Sequence, residues 1–154
     1  MFSKDMRDLI DLLNAREVRY ALVGGHAVNY YGYVRATQDV DLLIYPSREN
    51  SERVMDALEA FGFGEAGIPQ EYFERTGSAI HLGVEPNRID LITHLKGIEN
   101  DRIFSNVEQV EIEGVRINVI SYEDLVAAKE LSDRTRDQAD AEELRRIQDE
   151  KDRS

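Results

Sequence analysis

The sequence predicts a single α+β domain, a mixed β-sheet packed with helices. Three observations carry that expectation. Apolar residues recur at helical spacing near both ends of the chain, and in short alternating or continuous runs between them. Glycine, proline and asparagine punctuate those runs. No internal repeat, low-complexity block or Ser- or Pro-rich linker divides the 154 residues, a length that supports one domain with a substantial core. One domain is therefore expected over residues 1–148, with a frayed charged end over 149–154.

Lys4 to Arg16 reads as a helix, with Met6, Leu9, Ile10 and Leu13 on one face. Tyr20 to Val23 is a short strand, and His26 to Tyr31 a helix after the Gly24-Gly25 turn. A second strand ends at Pro46. Ser47 or Asn50 caps the next helix, which reaches about Phe61 and buries Val54, Leu58 and Phe61. After the GFGEAG loop come short strands: YFER, then AIHLGV with Ile80, Leu82 and Val84 on one face, then RIDLIT. His81 falls on the other face of its strand, as a half-exposed residue. Val107–Ile112 and Val115–Ile120 form a hairpin around Glu113-Gly114. Ser121 and Asp124 open a helix that carries Lys129, and Gln138 to Gln148 forms the last helix.

Composition removes several function classes. The apolar fraction of 42% suits an ordinary globular protein. Without cysteine there is no disulfide, zinc–thiolate site or cysteine nucleophile, which is compatible with a cytoplasmic location. No apolar run approaches the roughly 20 residues that span a bilayer, and MFSKDMRDLI lacks a secretion signal. No membrane association is expected. A net charge of −12 argues against broad nonspecific nucleic-acid binding. It leaves room for a small anionic substrate, because a bound cation inverts the field of an acidic site.

The chemistry concentrates in LVGGHAVNYYGYVRATQDVDLLI, Leu22 to Ile44. Period two puts Asp39 and Asp41 on one face of the second strand, opposite Val40, Leu42 and Ile44. Adjacent carboxylates repel and lose hydration if buried, and a divalent cation with oxygen ligands resolves both problems. A solvated strand end is the plainer reading of Asp-x-Asp alone. The Gly-Gly turn upstream and a third strand-borne acid, Asp90, downstream favour the cation. Gly24 and Gly25 let the backbone approach a ligand closely. Helix N-terminal amides favour a phosphate. An ordinary strand-to-helix turn is the alternative. His26 reads as a helix-start or packing residue, and Tyr30, Tyr31 and Tyr33 as cover for the core edge.

Extending the strand backwards brings Arg35 and Thr37 to the face of Asp39 and Asp41. Arg35 then contacts a phosphate, neutralises the carboxylates, or forms a plain surface ion pair. Asp90 sits on a face suited to burial and needs a partner. Arg88 is read as pointing the opposite way, so a cation shared with Asp39 and Asp41 is preferred. Lys129 lies on or beside the buried face of its helix. Either its stem packs while the ammonium reaches water, or it reaches the site and binds phosphate.

GGHAVNYYG, RATQDVDLLI and the separate strand RIDLIT together resemble the nucleotidyltransferase superfamily with the DNA polymerase beta-like fold. SYEDLVAAKELSDRTRDQADAEEL looks like the C-terminal part of small bacterial members, among them AbiEii-like toxin proteins, with Arg136-Asp137 and Asp140 matching an Arg-Asp-x-x-Asp segment. The resemblance spans about Tyr20 to Leu144. It implies magnesium or manganese held by Asp39, Asp41 and Asp90, and a nucleoside triphosphate held by Gly24, Gly25, Arg35, Thr37 and Lys129. Nucleoside monophosphate would pass to an acceptor hydroxyl or amine, with Asp90 holding the activating cation or taking the acceptor's proton.

Where the family often has serine after the first glycine, Gly25 stands here, removing a hydroxyl ligand. The core leaves no separate acceptor-binding domain. The resemblance therefore also implies a second reading, a non-catalytic module of a toxin–antitoxin pair whose partner protein is encoded nearby. Order argues against a haloacid-dehalogenase-like phosphatase, since its apolar strand precedes the first aspartate and here it follows.

Overall fold

The structure, a computed structural model, describes residues 2–154. Its helices are α1 (Lys4–Ala15), α2 (Gly24–Tyr30), α3 (Arg48–Leu58), α4 (Asn100–Ser105), α5 (Tyr122–Glu130) and α6 (Thr135–Arg153). Its strands are β1 (Tyr20–Val23), β2 (Val40–Ile44), β3 (Ala79–Leu82), β4 (Ile89–Ile92), β5 (Glu108–Ile112) and β6 (Val115–Val119). The strands form one mixed sheet in the order β3-β4-β2-β1-β6-β5.

β1 and β2 are central, antiparallel to each other, and β1 is buried along its whole length. Parallel partners flank them, β6 beside β1 and β4 beside β2. α1 follows its apolar spacing. Met6, Leu9, Ile10 and Leu13 are buried, and Ser3 caps it in a reciprocal box with Met6. Each such side chain contributes roughly 2 kcal/mol on burial, which outweighs the marginal stability of a helix this short. Asn50 joins α3 to the sheet. Buried, it accepts from Arg19 N–H and donates to the carbonyls of Arg19 and Tyr45. The β5–β6 hairpin turns on Glu113 and Gly114, both at positive φ (52° and 79°), as a two-residue turn demands.

Several segments differ from expectation: α2 begins at Gly24 rather than His26, so both glycines lie in its first turn, α4 (Asn100–Ser105) falls where no helix is expected, and four more depart as follows. YFER is not a strand. Gln70–Phe73 forms a 3₁₀ turn that buries only Phe73, so there is no alternating face to pair. Val84 does not join Ile80 and Leu82, because β3 stops at Leu82, Gly83 takes φ 79° and Val84 is exposed. α3 ends at Leu58 and continues as a wide turn over Glu59–Phe63, where Gly62 (φ 108°) breaks helical geometry. α6 begins before Gln138 and runs through Arg153, taking in most of the stretch expected to fray. No helix among the described residues is long and apolar enough to cross a membrane.

Candidate active site

The sheet register assembles the site. β2 lies between β1 and β4, so Asp41 is level with Val23 on one side and with Asp90 on the other. Val23 runs straight into the Gly24-Gly25 turn, which is thereby set beside Asp41. Both glycines are required by contact. A Cβ on Gly24, whose φ is +69°, would lie 2.2 Å from Asp41 Oδ2, and one on Gly25 would lie 2.3 Å from Thr37 Oγ1. Burial alternates from Tyr33 to Asp39, with Arg35, Thr37 and Asp39 half-buried and Val34, Ala36 and Gln38 exposed, until Val40 is buried at the start of β2. The strand expected to extend back through these residues does not: β2 begins at Val40 and Asp39 lies in a bend, so Arg35 and Thr37 meet the site through their contact with Gly25 rather than through a shared strand face.

Asp41 is under electrostatic stress. Burial, and then the neighbouring charges of Asp90 and Asp39, push its pKa up to about 7, against a small opposing effect from Lys129. Asp90 behaves differently. Burial opposes its charge, but hydrogen bonds from His81 and Arg88 outweigh it and hold Asp90 below the usual carboxylate range. Arg88 grips Asp90 as a fork, Nε to Oδ1 at 2.8 Å and Nη2 to Oδ2 at 3.1 Å, and reaches Asp39 Oδ2 at 3.5 Å.

That fork corrects the expectation that Arg88 faces away. The two residues are two positions apart, not adjacent, so period two puts them on the same face. Asp39 Oδ1 is buried without a hydrogen-bond partner. Among the described residues no three His, Asp or Glu side chains stand as a ready metal-ligand set.

A second cluster adjoins the first. Asp140, buried on α6, accepts from Arg35 Nε (3.0 Å) and Nη2 (2.9 Å) and from Lys129 Nζ (3.1 Å). Lys129 also reaches Asp137 Oδ1 at 2.9 Å, and Ser132 donates to Asp137 Oδ2 at 2.6 Å. Arg35 is therefore no surface ion pair, and Lys129, with 11% of its side chain exposed, does not send its ammonium into open water. Arg35 Nη1 lies 3.4 Å from where a Gly25 Cβ would be. His26 is buried in α2, packs on Phe2 with ring centroids 4.9 Å apart, and makes no hydrogen bond through Nε2.

His81 is the participant that composition and spacing did not single out. It pairs with Asp90 across the antiparallel β3–β4 register, Nδ1 to Oδ1 at 2.6 Å. Its only sequence signal is its position opposite the polar face of a neighbouring strand, which needs the register to be read.

A mixed sheet whose central strands bring acidic residues to a Gly-Gly turn defines the nucleotidyltransferase class. Residues 2–154 match the family described as nucleotidyl transferase of unknown function (DUF2204), and the chain belongs to that family. Solved structures share the fold. A candidate nucleotidyltransferase from Thermotoga maritima superposes with a TM-score of 0.57 at 16% identity, covering 97% of this chain and 96% of its own. The lincosamide antibiotic adenylyltransferase LnuA, solved with lincomycin bound, gives 0.54 at 16% identity, covering 94% and 97%. The antibiotic-resistance factor ANT(2'')-Ia gives 0.55 at 12% identity, covering 91% and 80%. No curated relative matches the chain.

Proposed function

We propose that this nucleotidyltransferase moves a nucleoside monophosphate from a triphosphate to an acceptor hydroxyl or amine, using a divalent cation, Mg²⁺ or Mn²⁺. The observation that carries the reading is the level pairing of Asp41 and Asp90 beside the Gly24-Gly25 turn. The residues fit a cation at Asp39 and Asp41. One offers a buried oxygen with no partner, and the other has a carboxylate destabilised by its neighbours. Asp90 is committed to Arg88 and His81, so it holds those side chains rather than offering a free oxygen to the cation. A cation bound there supplies charge neutralisation for the phosphates.

The chain's own residues do the rest. Gly24 and Gly25 bring the backbone directly against the side chains of Asp41 and Thr37, so the turn and the candidate cation ligand are in contact. Arg35 and Lys129 bring positive charge, held in place by Asp140. The Thermotoga, LnuA and ANT(2'')-Ia folds support a transferase built on this frame, and two of those proteins are named for antibiotic modification or resistance. A small hydroxylated molecule is therefore the acceptor class to test first.

Incubation of the pure protein with α-labelled nucleoside triphosphates, magnesium and a lysate fraction tests the reading. Metal-dependent label on an acceptor, lost in Asp39→Asn, is expected. Absence of both labelling and magnesium-dependent nucleotide binding in calorimetry overturns it. The second reading, an interaction module of the toxin–antitoxin kind seen in AbiEii-like proteins, is favoured by one observation. Arg88 already neutralises Asp90 and reaches Asp39. Under that reading nucleotide binding is absent and a co-encoded protein is captured instead.

A further inference from the structure

The transferase reading leaves open which group removes the acceptor's proton. Asp90 would be the simple choice, but both of its oxygens are engaged. Oδ1 meets His81 Nδ1 and accepts from Arg88 Nε, and Oδ2 accepts from Arg88 Nη2. A carboxylate with both oxygens taken by neighbouring side chains is poorly placed to receive a proton from an acceptor. His81 has the complementary properties. Its ring is half in solvent, with 55% of the side chain exposed, whereas Asp90 is 10% exposed. Nδ1 is the nitrogen that meets Asp90, and among the described residues Nε2 has no hydrogen-bond partner. β3, which carries His81, is the edge strand of the sheet, with no further strand outside it. The acceptor can approach from that edge while the triphosphate occupies the glycine side, three strands away at the end of β1.

We propose that His81 is the general base of the transfer, positioned by Asp90, and that it acts on a hydroxyl-bearing acceptor entering over the β3 edge. A carboxylate forked by the Arg88 guanidinium serves as an acceptor, so a neutral imidazole meeting it through Nδ1 carries its proton there, which leaves the Nε2 lone pair free. The logic is that of a histidine–carboxylate dyad, in which the acid selects the tautomer and steadies the imidazolium that forms. The acceptor oxygen bonds to the α-phosphorus as its proton passes to His81 Nε2. The bond from the α-phosphorus to the α–β bridging oxygen breaks, and pyrophosphate leaves with that electron pair. His81 then returns the proton to solvent or to pyrophosphate. No additional reactant is needed.

The inference rests on the transferase reading, and the test separates the two. His81→Ala and His81→Gln are compared with wild type for transfer of label to the lysate fraction that wild type labels, and for magnesium-dependent triphosphate binding by calorimetry. The expected result is a fall in transfer rate on the order of 100-fold, nucleotide affinity within about twofold of wild type, and partial recovery of His81→Ala with added imidazole. Independently, ¹⁵N spectra of the imidazoles in the free protein should show the His81 proton on Nδ1, moving away from it in Asp90→Asn.

Wild type that labels nothing overturns the transferase reading and this one with it. Active wild type with an equally active His81→Ala overturns His81 alone. So does a variant whose nucleotide affinity falls in step with its rate, and so does a wild-type ring protonated on Nε2.

Discussion

Arg35 and Asp140 meet as a fork although 105 positions separate them, with Nε and Nη2 at 3.0 and 2.9 Å from the two carboxylate oxygens. The pair ties the loop that leads into Asp39 to the last helix, and Lys129 shares one of the same oxygens. Removing one partner of a buried pair costs far more than the pair itself contributes, because a charge is left stranded. Asp140→Asn should therefore lower unfolding stability by about 3 kcal/mol. Urea denaturation checks it, and a change below 1 kcal/mol, on the order of a surface pair, would show that Arg35 and Lys129 are not held by Asp140.

Lys129→Ala leaves Asp140 still paired with Arg35, so the fold should survive. The positive charge beside Asp41 is lost. The nucleotide KM should rise by about tenfold, a little under 1.4 kcal/mol of binding, with a smaller change in kcat. Unchanged KM would remove Lys129 from the phosphate site.

Asp41 gives a pH dependence with a definite sign. Its folded pKa of about 7 stands above the ordinary aspartate value of 3.8 that describes the unfolded chain. Between those values folding takes up a proton, so this residue's contribution to stability falls as pH rises through the window and is level above it. The slope reaches at most about 1.4 kcal/mol per pH unit. In metal-free buffer Asp41→Asn should melt higher than wild type at pH 8, and the difference should shrink toward pH 5. A constant difference across that range would mean Asp41 is not the group titrating. The same variant should lose nucleotidyl transfer.

Gly25→Ala should cost about 1–3 kcal/mol through overpacking, since its Cβ would lie 2.3 Å from Thr37 Oγ1 and 2.9 Å from Thr37 Cβ. Adding Thr37→Ala removes the closer clash and should return part of that loss. A double-mutant cycle by thermal melting checks the coupling. Strict additivity would show that the two residues do not touch.

Much of the site was legible because local spacing reports which side chains share a face. Lys129 near the buried side follows from period 3.6, and the apolar stripe of α1 does likewise, whereas Asp39 stands in a bend one residue before β2, outside the strand whose period two aligned it with Asp41. Arg88 was equally legible, two positions before Asp90, and was misread only by treating the two as neighbours. YFER failed for a different reason. A four-residue window contains too little periodicity to separate a strand from a 3₁₀ turn that buries one phenylalanine.

By itself the sequence determined a one-domain mixed fold, a Gly-Gly turn after a strand, and the acidic residues that make a nucleotide site worth proposing. Only the tertiary structure decided that Asp90 lies level with Asp41, that His81 faces Asp90 from the edge strand, and that Asp140 collects Arg35 and Lys129. Strand order and register are set by packing between segments far apart in the chain, and no local pattern of spacing encodes which strand will lie beside which.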